Sequence, residues 1–389
     1  MPRALPKDLR IACVCMRQDS LIRSLWHGAQ RYLRRVPGCG FAVFQIRPRG
    51  AEPLTDWRPH GILVHLSSES LLDPCQRLNV PMVNTSMVMR EPPVVTVGPD
   101  NLAVGRLAAE HLLARGCRRF ALLGLADLGY VQRRFEAFRS RVEAEGWPCQ
   151  VYEGALHTVD TRRPGRLPPG SRDLLRWLRA LESPTGILVA DDHVGLVLCD
   201  VARAAGIDLA RAHRVVSGHD RGLPCVPELT AVEISEDRWG YEAAETLVGM
   251  LRGEPPPVGG EVLLPPQGLI ERESTERMAV ADEVVSRAVD HIRQHVQDPE
   301  LSVPVVAAAC GLGRRALEKR FRKQLGRTVL AEIHRCRLDL ARLLLAETDL
   351  TVDAVAEEAG LPDDKALRRL FARHLGQTPS AYRHQFHRR

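Results

Sequence analysis

The chain has 389 residues, too many for one hydrophobic core, so two or three domains are expected. Its 44% apolar and 26% charged residues are ordinary for a globular protein, and no apolar run approaches the roughly 20 residues of a membrane-spanning helix. From Arg277 onward there are 20 Lys and Arg against 15 Asp and Glu, and before it 34 against 33. Nearly all of the net charge of +6 therefore lies in the C-terminal part, either as a footprint for nucleic acid or as a merely solvated helix face.

The N-terminal residues 1–7, Met-Pro-Arg-Ala-Leu-Pro-Lys, lack the apolar core of a secretory signal, which favours a cytoplasmic protein with no membrane association. The ten cysteines are scattered, as expected of reduced thiols, and none forms a Cys-x-x-Cys pair. The sequence contains no Gly-x-Ser-x-Gly, Walker or His-Glu-x-x-His motif, and its 14 histidines are scattered. It therefore predicts a protein that is not an enzyme and has no cofactor and no metal site.

The N-terminal two thirds of the chain alternates short apolar strands with longer helices. Strands are predicted at residues 10–15, 40–46, 61–66, 80–84, 93–97, 119–123, 186–190 and 214–217. Helices are predicted at residues 21–34, 101–116, 131–146, 193–206 and 239–252. This alternation is typical of parallel βαβ units. Two Pro- and Gly-rich segments, 158–172 and 253–260, are predicted as loops.

The C-terminal part contains one supersecondary pattern twice. Val306-Ala307 and Gly311-Leu312 in the first copy correspond, 49 residues later, to Val-Ala and Gly-Leu in the second. After this turn each copy places Leu, Phe and Leu four residues apart, at 317, 321 and 325 and again at 367, 371 and 375. A short helix, a turn carrying Gly and a second helix with one apolar stripe form a helix-turn-helix.

These two copies are joined by a predicted helix at residues 328–347 and are followed by Gly-Gln-Thr-Pro-Ser-Ala-Tyr-Arg at 376–383. In this arrangement the region resembles the DNA-binding domain of the AraC/XylS family of transcription regulators, which has two helix-turn-helix units on one long helix. The resemblance implies double-stranded DNA as a partner, RNA polymerase as a second partner, and activation as the mode of regulation.

Residues 9–275 resemble the periplasmic-binding-protein-like module of the LacI family, in which two lobes surround a ligand cleft. The matching motifs are Pro-Met-Val-Asn at 81–84, Asp-Asn at 100–101, Ala-Asp-Asp at 190–192, Val-Ser-Gly-His-Asp at 216–220, Gly-Tyr-Glu-Ala-Ala at 240–244 and Gly-Leu-Ile-Glu-Arg-Glu-Ser at 268–274. The predicted fold is thus an α/β two-lobed periplasmic-binding-protein-like module at 9–275, a linker at 276–283, and an all-α domain with two helix-turn-helix units at 284–386.

The exposed faces of the two recognition helices carry the candidate DNA contacts. The first helix offers Arg314, Arg315, Glu318, Lys319, Arg322 and Lys323, and the second offers Lys365, Arg368, Arg369 and Arg373. Arg and Lys can bind guanine O6 and N7, and Glu can accept from cytosine N4. The resemblance assigns base contacts to Arg315, Glu318, Lys319, Lys365 and Arg369. Pro362-Asp363-Asp364 begins the second helix with acids that can cap it but repel phosphate, so it is predicted to contribute less.

Carboxylates that follow strands are candidates for a hydroxyl-rich effector, because one carboxylate can accept two O–H hydrogen bonds. Asp191, Asp192 and Asp220 each follow an apolar strand. Their alternative role is helix capping, which is favoured for Asp192 and also for Asp100, is left open for Asp191, and is not favoured for Asp220. The remaining candidates are Arg134, matching a family arginine that reaches the ligand, Tyr130, which could stack on a sugar, and His219.

The sequence therefore predicts a DNA-binding transcription regulator, acting as a homodimer, that responds to a small sugar-like effector. His219 and Arg221 depart from the family pattern around Asp220, so an acidic sugar or another anion remains open as the effector. Two other classes of protein stay open: a cytoplasmic solute receptor with an accessory C-terminal domain, and an enzyme with a DNA-binding regulatory tail.

Overall fold

Two six-stranded sheets organise the N-terminal unit of this computed structural model, which describes residues 4–46, 52–156, 167–276 and 282–386. The chain divides into two units, one of residues 1–113 and 118–276 and the other of residues 114–117 and 277–389. The strands are β1 (Arg10–Cys15), β2 (Gly40–Gln45), β3 (Gly61–Val64), β4 (Met82–Asn84), β5 (Val95–Pro99), β6 (Phe120–Leu123), β7 (Cys149–Val151), β8 (Gly186–Val189), β9 (Arg214–Ser217), β10 (Thr230–Glu233), β11 (Glu261–Leu264) and β12 (Gly268–Ile270).

The first sheet has the order β11-β5-β4-β3-β1-β2 and the second has the order β12-β10-β9-β8-β6-β7. Neighbouring strands are parallel, apart from β12, which is antiparallel to β10. The chain passes from one sheet to the other after β5, after β10 and after β11. These crossings divide the N-terminal unit into two lobes, which confirms the predicted fold class.

Helices cover the sheets, since parallel strands require crossover connections. Those of the N-terminal region are α1 (Ser20–Leu33), α2 (Glu52–Trp57), α3 (Leu72–Gln76), α4 (Asn101–Ala114), α5 (Gly129–Glu143), α6 (Ser171–Ala180), α7 (Asp192–Ala204), α8 (Leu209–Ala212), α9 (Glu236–Leu251) and α10 (Glu273–Glu276). Helices α1 and α9 approach so closely that a Cβ on Gly28 would lie 1.8 Å from the carbonyl oxygen of Asp237. Gly240 meets the Leu25 carbonyl in the same way, so both positions require glycine.

The sequence-based elements agree with the structure in type, with some omissions. The strands that it missed are β7, β10, β11 and β12, and three of these, β7, β11 and β12, are edge strands that lack the continuous burial of the central strands. Most of the predicted loop at 158–172 lies outside the described residues, but its end is wrong. Gly170 adopts a left-handed conformation (φ 83°) and α6 begins directly after it, at Ser171. No helix in the described ranges is long and apolar enough to cross a membrane.

The second unit is helical, with α11 (Glu283–Gln294), α12 (Val303–Ala309), α13 (Arg314–Leu325), α14 (Val329–Glu347), α15 (Val352–Glu358), α16 (Asp364–Leu375) and α17 (Pro379–Phe386). Helices α12 and α13 form the first helix-turn-helix, α15 and α16 form the second, and α14 joins them. The N-terminal half of α14 contributes Val329, Ile333 and Cys336 to the core of the first. Its C-terminal half contributes Leu338, Ala341 and Leu345 to the core of the second.

Candidate functional site

Residues that follow strands of both sheets meet in what we call the polar cleft, formed by Asp19, His65, Tyr130, Asp191, His193, Asp220 and Arg221. Asp19 lies just beyond β1 in the first sheet, and Arg221 lies just beyond β9 in the second. Arg221 Nη2 donates to Asp19 Oδ2 at 3.0 Å, although the two residues are 202 positions apart. Because the carboxyl ends of parallel strands face this space, it lies where ligands of open α/β sheets bind.

Asp191 connects the second sheet to helix α7. Its Oδ1 accepts from the backbone N–H groups of His193 and Val194, and its Oδ2 accepts from the Tyr130 hydroxyl at 2.8 Å. Burial alone would raise the pKa of Asp191, but the hydrogen bonds from Tyr130 and Val194 hold that pKa below its ordinary value. Asp191 is therefore an ionised carboxylate fixed in place. The Tyr130 hydroxyl already donates its proton, which leaves its oxygen as an acceptor and its ring as a surface for contact with a ligand.

The structure corrects the assignment of helix caps. Asp191, whose role was open, is the N-cap of α7, whereas Asp192 lies inside the helix and accepts from the Arg221 backbone N–H at 2.8 Å. The prediction that Asp192 is the cap was wrong, since its backbone already belongs to the first helical turn. Asp100 is confirmed as a cap, because its carboxylate accepts from the Ala103 N–H at 2.9 Å.

Arg134 lies beneath the cleft and is only 2% exposed. Its Nε donates to Asn101 Oδ1 at 2.8 Å, and its Nη1 donates to the Ala190 carbonyl at 2.6 Å. The guanidinium carbon lies 5.0 Å from the centre of the Tyr130 ring. Arg134 thus contacts the end of β8 and the ring of Tyr130. Most of its guanidinium group therefore already binds other parts of the protein.

Asp220 has partners within the protein, whereas Nε2 of the buried His219 lies close to a carboxylate without a hydrogen bond to a described residue. Arg272 Nη2 donates to Asp220 Oδ2 at 2.6 Å, and the Gly222 N–H donates to Asp220 Oδ1. His219 is 6% exposed and its Nε2 lies 3.2 Å from Glu236 Oε1. Asp220 is a half-buried carboxylate at the end of β9, held by an arginine.

Two histidines in the cleft are kept neutral. Burial lowers the pKa of His65 to about 4, with the Arg221 charge adding to the effect and Asp19 opposing it. Burial also lowers the pKa of His193, and Arg221 again contributes. Arg221 Nη1 lies 3.2 Å from His193 Nδ1. At neutral pH the cleft thus contains neutral imidazoles beside one arginine. The described residues include no group of three or more His, Cys, Asp and Glu that could hold a metal ion.

The first recognition helix, α13, presents a basic exposed face. Arg314, Arg315, Lys319, Arg322 and Lys323 are all exposed, and none forms an ion pair with a described residue. Two neighbouring arginines are used elsewhere, because Arg320 pairs with Asp282 and Arg327 pairs with Glu332. Glu318 is half-buried and its Oε2 is shielded from solvent without a hydrogen-bond partner, so it is the least accessible of the predicted base contacts.

The second recognition helix, α16, has fewer unpaired cations. Lys365, Arg368, Arg369 and Arg373 are exposed, but Arg368 Nε donates to Asp364 Oδ2 at 2.9 Å. Asp363 caps the helix by accepting from the Ala366 N–H at 2.6 Å, which agrees with its predicted capping role. By contrast, Gly313 precedes α13 without a side-chain cap.

The apolar stripes of both helices face the cores. Phe321 and Phe371 have 0% exposure, so neither ring is available to DNA in this structure. Tyr382 of the terminal signature packs edge-on against Phe371, with ring centres 5.6 Å apart. Arg337 of the joining helix is 7% exposed and donates to the Val296 and Asp298 carbonyls, which locks α14 against the segment that follows α11.

The sequence reasoning did not single out Asp19, His65 or Arg272, and it noted Arg221 only as a departure from a family pattern. Asp19 carried a usable signal, because an Asp after a strand and before an apolar helix is a typical N-cap, and its carboxylate does accept from the Ile22 N–H. No pattern could pair Asp19 with Arg221 across 202 residues.

Comparison with known proteins agrees with this geometry. Residues 109–275 match the model of a periplasmic binding protein-like domain, and residues 306–385 match that of a helix-turn-helix domain. The Xylose operon regulatory protein of Escherichia coli K12 is 29% identical over 350 residues, 85% of this chain and 86% of that protein. The corresponding protein of Haemophilus influenzae is 27% identical over 304 residues, 74% of each chain.

A solved structure of the xylose-binding transcription activator XylR superposes with a TM-score of 0.60 and 26% identity, covering 97% of this chain and 98% of that one. These relatives are transcription regulators, which confirms the prediction that the chain is not an enzyme. The chain is therefore a ligand-responsive, DNA-binding transcription regulator that combines a periplasmic-binding-protein-like domain with a helix-turn-helix domain, and it is similar over most of its length to the xylose operon regulators.

Proposed function

We propose that the chain regulates an operon for the use of a sugar or sugar-like compound, which it binds in the polar cleft. The ion pair between Asp19 and Arg221 carries this proposal, because it joins the two sheets at the place where such modules hold their ligands. The relatives that are similar over most of the chain are named for the xylose operon, which supports a sugar-type effector. We propose that Asp191, Asp220 and the Tyr130 ring contact it, while Arg134 and His219 support it from below.

DNA binding is proposed to run through the exposed faces of α13 and α16. Arg315 and Lys319 lie near the start of α13 and would contact base edges, as would Lys365 and Arg369 on α16. Arg314, Arg322, Lys323, Arg368 and Arg373 would contact phosphates. Glu318 would accept from cytosine only if its shielded Oε2 turned outward. Because both helices pack on α14, they should enter successive major grooves about 34 Å apart.

We propose that the chain forms a homodimer through the N-terminal unit, contacts RNA polymerase as an activator, and works in the cytoplasm, where its operator is. An effector can change operator binding only by as much as its affinity differs between the two arrangements of the protein. A small change in lobe closure is sufficient if the operator requires one placement of the two DNA-binding regions.

The test is a binding titration of the full chain on DNA taken from upstream of its neighbouring sugar genes, with and without candidate sugars. We expect specific binding that a cognate sugar changes by about 5- to 150-fold. The double variant Arg315→Ala, Lys319→Ala should lose specific binding while ligand-induced thermal stabilisation persists. Ligand binding without any specific DNA binding would contradict the proposal.

A further inference from the structure

Arg221 has two hydrogen-bond donors on one side of its guanidinium, Nε and Nη2, and only one of them has an acceptor among the described residues. In an arginine, Nε–H and one Nη2–H point in the same direction and together fit the two oxygens of one carboxylate. In Arg221, Nη2 donates to Asp19 Oδ2 at 3.0 Å, but Nε is buried and has no partner among the described residues. The Arg221 side chain is only 10% exposed, so water does not readily replace the missing acceptor. A buried donor without an acceptor lowers the stability of the fold, and this donor belongs to a residue of the polar cleft.

Asp19 is poorly suited to remain the permanent partner of this edge. Its Oδ1 accepts from the Ile22 N–H at 3.0 Å as the cap of α1, so only Oδ2 faces Arg221. Asp19 is also 53% exposed in its side chain, and a carboxylate that exposed can turn to solvent at little cost. Asp19 thus accepts from only one of the two donors of Arg221, whereas a ligand that binds both donors would need two acceptor oxygens.

Two other arginines near the polar cleft differ from Arg221. Arg134 has its Nε bound to Asn101 and its Nη1 bound to the Ala190 carbonyl. Arg272 is neutralised by Asp220 at 2.6 Å and also donates to the Leu229 carbonyl. Arg221 is the one whose carboxylate partner is exposed and whose Nε is unpaired. Its neighbours His65 and His193 are neutral at pH 7, since burial lowers the pKa of both.

The acids around Arg221 do not cancel its charge towards a ligand. Asp191 accepts from Tyr130 and two backbone N–H groups, and Asp220 is paired with Arg272. Asp192 accepts the backbone N–H of Arg221 itself. Asp191 and Asp192 are held by hydrogen bonds from neutral groups and Asp220 is held by an ion pair, so displacement of Asp19 leaves the Arg221 guanidinium without an ion-pair partner among the described residues.

We propose that the effector is an acidic sugar-type molecule, a polyhydroxy carboxylate, whose carboxylate binds Nε and Nη2 of Arg221 and displaces Asp19. Its hydroxyl groups would then donate to Asp191 and Asp220. This inference rests on the proposed role of the cleft as the effector site and names the class of ligand. Ligand binding would exchange an ion pair between the two lobes for one between protein and ligand, which gives the ligand a direct effect on lobe closure.

Matched pairs of ligands test this inference on the full chain. D-gluconate and D-glucitol share one hydroxylated skeleton and differ in a carboxylate, as do D-xylonate and xylitol; D-xylose and D-glucose serve as neutral sugars. We expect isothermal titration to show that one of the acids binds about 10- to 100-fold more tightly than its alcohol. Arg221→Gln should remove this preference and Arg221→Lys should retain part of it. Asp19→Asn can still cap α1 and should bind the acid more tightly, because the competing charge is gone.

Thermal unfolding and DNA titration of each variant show whether it is folded. Neutral sugars that bind as well as the acids, with no effect of Arg221→Lys or Asp19→Asn, would overturn the inference and leave the cleft as a neutral-sugar site. If none of the six compounds binds while specific DNA binding is intact, the acidic-sugar inference fails together with the proposed sugar-type effector.

Discussion

The two helix-turn-helix units have the same apolar framework and different charged faces. In both, leucines and one phenylalanine of the recognition helix are buried against α14, and in both a glycine in the left-handed conformation ends that helix. The first helix has five exposed cations without an acid partner among the residues described. The second has an aspartate cap, and Asp364 holds Arg368. Duplicated packing therefore does not entail duplicated recognition, because exposed side chains are free to differ where core side chains are not.

The largest expected effect tests whether the two frameworks are equivalent. Phe321→Ala and Phe371→Ala should each lower the free energy of unfolding by about 3–5 kcal/mol, since both rings are fully buried and each would leave a cavity. Hydrogen exchange of the full chain should show the loss within the unit that carries the change. Leu330→Ala, at a position that is 48% exposed, is the control and should change little. A folded Phe321→Ala variant with unchanged stability and altered base preference would contradict the assignment of this ring to the core.

A buried carboxylate distinguishes the first helix-turn-helix unit from the second. Glu332 has 0% exposure and binds Arg327 and Arg335; burial alone would raise its pKa, but the two arginines lower it from 4.5 to about 2. A depressed carboxyl pKa stabilises the fold above pH 4.5, and that contribution is lost as the pH falls towards 2. Glu332→Gln should therefore cost about 3 kcal/mol at pH 7.

The measurement is denaturant unfolding of the wild type and the Glu332→Gln variant between pH 7 and pH 3. The difference between them should shrink below pH 4.5. Glu357→Gln, at an exposed carboxylate of the second helix-turn-helix unit, is the matched control and should leave stability nearly unchanged. A Glu332→Gln cost that stays constant with pH would show that the effect comes from packing and not from charge.

Base recognition should be unequal between the units. Arg315→Ala should weaken preference at one base position by about 1–3 kcal/mol, and Arg369→Ala should cost less, because Asp363 and Asp364 lie near the start of its helix. Arg322→Ala is the matched phosphate control: it should weaken all sequences alike and reduce the salt slope by about one. Titrations on operator variants at several salt concentrations separate these effects. Equal losses from Arg315→Ala and Arg369→Ala would refute the asymmetry.

The smallest expected effect would make the units more alike. Asp364→Asn removes the ion pair with Arg368 and one negative charge near the phosphates, so operator affinity should rise by about 0.2–1 kcal/mol at low salt. The gain should fade as salt is raised. Asp353→Asn, at an exposed carboxylate in the first helix of the same unit, is the control. Weaker operator binding by Asp364→Asn would show that this carboxylate positions Arg368 for contact instead of restraining it.

Much of this architecture could be predicted from local sequence. The stripe of Leu317, Phe321 and Leu325 is buried in the structure, as are Leu367 and Phe371 of its repeat in α16, where Leu375 is partly buried. The α/β alternation and most of the buried strands were predicted, while the edge strands β7, β11 and β12 were missed. The smaller number of unpaired cations on α16 was also foreseeable, because Asp363 and Asp364 precede its cations in the sequence.

The hydrogen-bond partners in the polar cleft could not be predicted from local sequence. Sequence selected Asp191, Asp220 and Arg134 as ligand contacts, and the structure finds Asp191 capping α7, Asp220 paired with Arg272, and Arg134 buried against Asn101. A residue type after a strand indicates that a side chain can face a cleft. Whether its donors and acceptors are still available depends on partners that come from elsewhere in the chain.

By itself, the sequence determined the periodic features of this protein: which helix faces are apolar, where most of the longer helices lie, and which two kinds of unit follow each other. Such features depend on residues within a few positions of one another, so they can be recognised without a fold. Only the tertiary structure decided that Asp19 meets Arg221 across 202 residues and leaves Nε of that arginine without an acceptor. The physical reason is that a charged pair between two sheets depends on where three chain crossings bring the strand ends together, and no local pattern encodes that position.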